Sequence, residues 1–244
     1  MDKKERLDKI ISNMGYGSRK DVKKLIKEGR VNVNNKICKE NSLKINPYED
    51  EIVIDGIKLE YREYIYLMLN KPKDVVSSTD DPINRTVLDL IDEEYLIFEP
   101  HPAGRLDKDT EGLILLTNDG QLSHRLLSPK NKIGKTYYVE VEGFLKENHI
   151  EKFQEGIILD DGYQTLPAKL EIIEGDFLSK SKLTITEGKF HQVKRMFKAL
   201  NMEVVYLKRL SIGDLVLDEN LKSGEYRELT EEEILKLLKT NQKS

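Results

Sequence analysis

The chain has 244 residues, 38% hydrophobic and 34% charged, with a formal net charge of −4. No apolar run approaches the roughly 18 residues that cross a bilayer, and the opening MDKKERLDKI lacks the apolar centre of a secretory signal. One cysteine, Cys38, and four scattered histidines, His101, His124, His149 and His191, argue against an internal disulfide and a thiolate metal site. The expectations are a cytoplasmic location, no metal and no membrane contact. The length suits two small domains at roughly 100–200 residues each.

Charge is unevenly spread. Residues 1–44 hold 13 Lys/Arg against 6 Asp/Glu, a balance of +7, and the remainder carries −11. A basic head on an acidic body points to a polyanionic partner for the head. In that head, ERLDKIISNMG places Leu7, Ile10 and Ile11 at helical spacing, with Met14 continuing the stripe. Gly15 and Gly17 stop it. SRKDVKKLIKEG predicts a second helix, with Ser18 as N-cap and Asp21 completing a capping box. Its apolar face is Val22, Leu25 and Ile26. Arg19, Lys20, Lys23, Lys24, Lys27 and Arg30 occupy the polar side and the exit. They read either as a solvated face or as phosphate contacts to A-form RNA, and the scarcity of balancing acids favours contact. RVNVNNKI predicts a strand with Asn34-Asn35 as turn, and NPYEDEIVIDG a strand at Ile52–Ile54 with a turn at Asp55-Gly56. A boundary falls near residue 60.

Beyond it the pattern is mostly strands between polar turns. YIYLMLN reads as a strand ended by Lys71-Pro72, SSTDDPINRTVLDLI as a loop with a short helix, and GLILLTNDG as a strand closed by a turn. QLSHRLLSP and HIEKFQEGI read as helices on either side of the strand KTYYVEVEG. AKLEIIEGD and SKLTITEG look like antiparallel neighbours. HQVKRMFKAL reads as a helix, EVVYLKRLSIGDLVL as one or two strands, and LTEEEILKLLKTN as a helix capped by Thr230 ahead of Glu233. Runs of strands with separate helices predict an α+β fold with a mostly antiparallel mixed sheet and flanking helices.

Three segments could carry chemistry. In HPAGRLDKDTEGLILLTNDG, Gly104 permits a tight turn, Leu106 can anchor in the core, and Arg105 and Asp107 point elsewhere. A loop pinned at both ends can hold one carboxylate in one orientation, though a charged hairpin with local ion pairs is as good a reading of this segment alone. In EGKFHQVKRMFKAL, Val193, Met196 and Phe197 form the apolar stripe, while Lys194 and Arg195 leave the helix in different directions. Either cation could pair with a buried Asp and keep it ionised; a wet basic face is the simpler account. In KIGKTYYVEV, Tyr137 and Tyr138 face opposite ways, so one can pack in the core and the other can stack on a base.

Together these segments resemble a known family. GRLDKDTEGLILLTNDG, KTYYVEV and GKFHQVKRMFKALNMEVVYLKRLSIGDLVL look like the three motif regions of the RsuA-type rRNA pseudouridine synthases. NKPKDVVSSTDDP resembles their early catalytic segment, in the version of the small-subunit branch. RLDKIISNMGYGSRKDVKKLIKEGRVNVNNK resembles the small αL-type RNA-binding module shared with a small-subunit ribosomal protein. The likeness spans about Arg6 to Leu229.

The resemblance implies an RNA-binding domain over 1–60 and a catalytic domain over 61–244. It implies that Asp107 is the essential catalytic group and Asp109 a loop residue, that Tyr137 stacks on the target uracil, and that Lys194 pairs with Asp107, with Arg195 as competitor. Arg105, Lys71, Arg195 and the six cations of the basic head would bind RNA. No cofactor or metal is implied. The uridine would be flipped out of its stack into the pocket. The implied reaction is isomerisation of one uridine of small-subunit (16S) rRNA, in a ribosome-assembly intermediate; a monomer is the default expectation, since the sequence does not encode the oligomeric state. The alternatives are the same chemistry on large-subunit (23S) rRNA and a non-catalytic rRNA-binding assembly factor. A two-acid hydrolase is disfavoured, because Asp107 and Asp109 are too close in sequence to oppose each other across a substrate.

Overall fold

The computed structural model describes residues 4–239. The chain divides into two compact units. The first runs up to Tyr64 and includes a later excursion, Glu93–Glu99; the second comprises Ile65–Asp92 and the chain from Pro100 onward. The short helix Glu93–Leu96 therefore belongs with the first unit, which the boundary near residue 60 does not foresee.

In the first unit, β1 (Glu5–Arg6) leads into α1 (Leu7–Asn13), and α2 (Arg19–Lys27) follows. Ser18 caps α2 as its sequence predicts: its side chain accepts from the Asp21 N–H, and Asp21 Oδ2 accepts from the Ser18 N–H at 3.0 Å. Such a cap is worth about 1 kcal/mol. Val22 and Ile26 are fully buried beneath the helix with Leu7, Ile10 and Ile11 of α1. At about 1.5–3 kcal/mol per buried side chain, this apolar stripe outweighs the cap. Strands β2 (Val31–Val33) and β3 (Lys36–Ile37) form a hairpin across Asn34-Asn35, both with positive φ. β4 (Lys44–Ile45) pairs with β1, while β5 (Ile52–Ile54) and β6 (Ile57–Lys58) extend the hairpin into a sheet of order β3-β2-β5-β6.

The second unit is built on one sheet. Its strands are β7 (Tyr66–Lys71), β8 (His101–Ala103), β9 (Glu111–Thr117), β10 (Lys135–Glu142), β11 (Lys169–Glu174), β12 (Leu178–Ile185), β13 (Glu203–Ile212), β14 (Leu215–Val216) and β15 (Tyr226–Glu228). The order is β11-β12-β10-β13-β9-β7-β15, with β14 on β13 and β8 on β9. Among the described strands of this sheet every pairing is antiparallel except β13 with β9, which run parallel through Lys208 opposite Glu111 and Arg209 opposite Gly112. The fold is α+β, as predicted. Helices α3 (Glu93–Leu96), α4 (Gly120–Leu127), α5 (Glu147–Glu155), α6 (Gln192–Lys198) and α7 (Glu231–Lys239) complete the described chain.

Sequence pattern explains the burial. β9 is a continuous apolar run with Leu113 to Leu116 all buried, so the sheet centre is covered on both faces. β10 alternates, burying Lys135, Tyr137, Val139 and Val141 on one face. α7 is anchored by Arg227, which holds Glu233 at 2.8 Å and Asp218 at 2.7 Å, and by the Thr230 cap. No described helix is long and apolar enough to cross a membrane.

Candidate active site

The loop between β8 and β9 is fixed from several sides. Ser77 Oγ donates to the Leu106 carbonyl at 2.9 Å and accepts from the Leu106 N–H at 3.0 Å, and Leu106 is buried. The Thr110 N–H closes a turn on the Asp107 carbonyl at 3.1 Å. Lys71, at the end of β7, is fully buried, and its ammonium donates to the carbonyls of Pro72, Lys108 and Thr110 at 2.9, 3.1 and 2.8 Å. This corrects the expectation that Lys71 binds RNA: its three protons are spent on backbone oxygens, and no phosphate can reach it. It braces the Asp107 loop instead. Burial pushes its amine down to about 8, against the pull of Asp109 and Asp107.

Two glycines make the loop possible. Gly104 has φ +93, and a Cβ there would stand 3.0 Å from Leu127 Cδ2 and 3.6 Å from Arg209 Nη1. Gly112 has φ +101, and a Cβ would lie 2.3 Å from the Arg209 carbonyl oxygen. Only glycine lets β9 and β13 approach so closely.

The opposite wall comes from α6 and the turn before it. Val193, Met196 and Phe197 bury the predicted stripe. Gln192 holds the turn, accepting from the Lys189 N–H at 2.8 Å and donating to Glu187 at 2.9 Å. His191 is the N-cap, in left-handed conformation at φ +49. Its imidazole Nε2 is 3.6 Å from Asp107 Oδ1, and Lys194 Nζ is 3.6 Å from Asp107 Oδ2. The Asp107 carboxylate therefore lies between two basic groups, with 29% of its side chain exposed.

The two adjacent cations face different acids. Lys194 meets Asp107, while Arg195 turns to the outer flank, where its Nη2 pairs with Asp161 at 2.7 Å and its Nε donates to Asp160 at 2.7 Å. Lys194 is also shared: its closer contact is Asp109 Oδ1, at 2.5 Å. Partial burial of Asp109 works against ionisation, and the hydrogen bond and charge of Lys194 override it, leaving this carboxyl below the usual range. Asp109 thus has a partner that a plain loop residue lacks.

Asp107, Tyr137, Lys194 and Arg105 all line one cleft of about 880 Å³. Tyr137 is 7% exposed and faces it, whereas Tyr138 points to the other side and donates to Glu140 at 2.8 Å. Arg105 is exposed at the rim. Three cleft residues escaped the sequence reading. Phe190 is 77% exposed and stacks on His191 with centroids 3.8 Å apart. Lys135 and Arg209 are buried beneath the cleft. The alternation of β10 could have placed Lys135 on the face of Tyr137; no local pattern announces Arg209, which reaches that face only through strand register. Among the described residues no three His, Cys, Asp or Glu side chains cluster to hold a metal.

The cations of the basic head stand on α2 and its exit. Arg19, Lys20, Lys23, Lys24 and Lys27 are exposed. Lys24 approaches Glu28 at 4.0 Å, and Arg30 is engaged by Asp55 at 2.6 and 2.8 Å. Lys20, Lys23 and Lys27 have no ion pair among the described residues.

The chain is similar to known proteins. Residues 65–199 match the family model for RNA pseudouridylate synthase, and residues 5–52 match the S4 domain. The chain is 53% identical to the uncharacterized RNA pseudouridine synthase YtzG of Bacillus subtilis, over 94% of this chain and 96% of that one. It is 47% identical to the ribosomal small subunit pseudouridine synthase A of Haemophilus influenzae, over 96% and 100%. A crystal structure of a pseudouridylate synthase superposes with TM-score 0.67 at 46% identity, covering 95% of this chain and 99% of that one.

Proposed function

The chain belongs to the RNA pseudouridylate synthase family, and from that premise we propose that it isomerises one uridine of small-subunit (16S) rRNA to pseudouridine. The observation that carries this reading is the Asp107 carboxylate, held 3.6 Å from Lys194 in a cleft lined by Tyr137. The names of relatives such as the Haemophilus influenzae enzyme favour the small subunit. The protein works as a monomer in the cytoplasm, on an assembling ribosomal particle.

The residues divide the work. Asp107 is the reacting group, its carboxylate set beside the Lys194 ammonium. Lys194 holds it and shares its charge with Asp109. Tyr137 supplies the ring on which the detached uracil lies while it turns, a stacking contact of about 1–3 kcal/mol. The uridine leaves its own stack to enter the cleft. Arg105 meets the RNA backbone at the rim, and the exposed cations of α2 grip a neighbouring RNA stem through phosphates. Arg195 contacts RNA only if its pairing with Asp160 and Asp161 gives way.

The experiment is to incubate the purified protein with 16S and 23S rRNA transcripts and with early small-subunit particles, then map pseudouridines. One new site in 16S rRNA, absent with Asp107→Asn, is expected. A site in 23S rRNA overturns the choice of subunit. RNA binding with no product from any substrate overturns the enzyme reading and leaves an assembly factor.

A further inference from the structure

The cleft holds more positive charge than its one carboxylate requires. Arg105, Lys108, Lys135, Lys189, Lys194 and Arg209 line it, against Asp107 as the single acid. Arg105, Lys108 and Lys189 are exposed at the rim, where water or RNA phosphates can answer their charge. Lys194 has Asp107 and Asp109. Lys135 and Arg209 lie deeper on the cleft wall, 7% and 1% exposed, and neither has an acid among the described residues to answer its charge. An unpaired buried charge costs several kcal/mol, and folding gives nothing visible in return.

Their placement is specific. Lys135 lies two residues before Tyr137 on β10, so both project from one face of the sheet. Arg209 is directly opposite Tyr137 in the β10–β13 register. Arg209 Nε donates to the Leu113 carbonyl at 2.8 Å, which fixes the guanidinium and leaves Nη2 buried without a partner. The Lys135 backbone pairs with Ile185 and Ile212, and its ammonium has no carboxylate partner among the described residues. Burial and then the neighbouring Arg209 charge push its amine down, and no carboxylate pushes it back.

We propose that Lys135 and Arg209 form an oxyanion receptor for the uracil ring, holding its carbonyl oxygens over Tyr137 and taking up the negative charge that the ring acquires during isomerisation. The inference rests on the reading of the chain as a pseudouridine synthase and adds two residues that touch the reacting base. It holds for each route open to Asp107. If the carboxylate attacks ribose C1′, a C1′–O bond forms and the C1′–N1 pair departs with uracil as an anion spread over N1, O2 and O4. If it removes the proton from C2′, that C–H pair becomes the C1′–C2′ double bond and the C1′–N1 pair again leaves with uracil. If it attacks ring C6, the C5–C6 π pair moves onto C5 and O4 as an enolate. In the first route C5 then bonds to C1′ as the C1′–O bond to Asp107 breaks; in the second the C2′ proton is returned as C5 bonds to C1′; in the third C1′–N1 breaks, C5 bonds to C1′, and the C6–O bond to Asp107 breaks as the C5 proton leaves. In all three the C5 proton is lost and N1 gains one. The product is an isomer, and no oxidant or reductant takes part. Cations fixed in advance beside these oxygens stabilise the charged ring more than the neutral one, which is the condition for accelerating the step.

The test compares single-turnover rates of wild type, Lys135→Met, Lys135→Arg and Arg209→Lys on rRNA carrying uridine or 5-fluorouridine at the mapped site, alongside RNA affinity and melting temperature; the rate read on both substrates is transfer of C1′ from N1 to C5, because 5-fluorouridine has no C5 proton to lose. Lys135→Met should slow uridine conversion about 100-fold with RNA affinity within about twofold of wild type, and Lys135→Arg should recover to within about tenfold. On 5-fluorouridine the Lys135→Met loss should shrink about tenfold, because fluorine already stabilises the ring anion. A purely structural role slows both substrates equally and overturns the proposal; so does a Lys135→Met rate within about threefold of wild type. If Lys135→Met fails to fold, the same substrate comparison on Arg209→Lys decides. A wild-type chain that isomerises no uridine removes the underlying reading and this inference with it.

Discussion

On α2 the lysines stand in water, and Lys20, Lys23 and Lys27 have no ionic partner among the described residues. Around the cleft of the second unit Lys71 and Lys135 are nine-tenths buried or more, and Lys194 is fastened between two carboxylates. The residue type is the same and the physics differs. Exposed lysines on flexible stems act through summed charge, so any one is nearly replaceable. Buried ones act through position, and a displacement of about an ångström changes what they do. The first unit therefore suits a surface recognised by shape and charge, and the second a single nucleotide held in one pose.

The sharpest way to break this comparison is to alter the acids that share Lys194. Asp107→Asn should lower the single-turnover rate about 10⁴-fold or more with RNA affinity preserved, whereas Asp109→Asn should cost about tenfold or less. Equal losses would mean that the roles of the two carboxylates are misassigned. Next in size, Lys194→Met should cost about 10²–10³-fold in rate with RNA affinity unchanged within about threefold. A loss confined to affinity would place Lys194 with the α2 lysines.

Lys71 yields a smaller effect, readable in stability. Its amine sits near 8 in the fold against 10.5 free. Between these values the unfolded chain binds more protons, so this group makes stability rise with pH across pH 8 to 10.5. Its contribution is fully present above that window and lost as pH falls through 8. The gain is roughly 3 kcal/mol. Chemical denaturation of wild type and Lys71→Met over pH 7–10.5 should show a difference in slope of that sign; parallel curves would mean that Lys71 titrates as if solvated. Smallest of all, Lys20→Ala, Lys23→Ala or Lys27→Ala should each weaken rRNA binding a few-fold and reduce the salt slope by about one, without changing the rate on bound RNA.

Much of the first unit was readable because its signals are local. Ser18 and Asp21 are three residues apart, Asn34-Asn35 is a turn in itself, and the α2 stripe repeats within two turns. In the second unit the pinned loop and the α6 stripe were legible for the same reason. What stayed hidden depends on pairing at a distance. Lys71 reads as an exposed lysine before a proline until the loop ahead of β9 brings the Lys108 and Thr110 carbonyls onto it. Arg209 is one more charge in a basic strand until register sets it opposite Tyr137. The excursion Glu93–Glu99 belongs with the first unit through contacts that no spacing encodes. Lys194 and Arg195 are adjacent and chemically alike, and only the orientation of α6 separates them.

The parallel seam of β9 with β13 also sets a birth order. Asp107 is synthesised about a hundred positions ahead of Arg209, a delay of roughly 5–20 s at ordinary rates of translation. Until β13 has emerged, Gly112 has no strand to pack against, and the wall of the cleft that carries Arg209 does not yet exist.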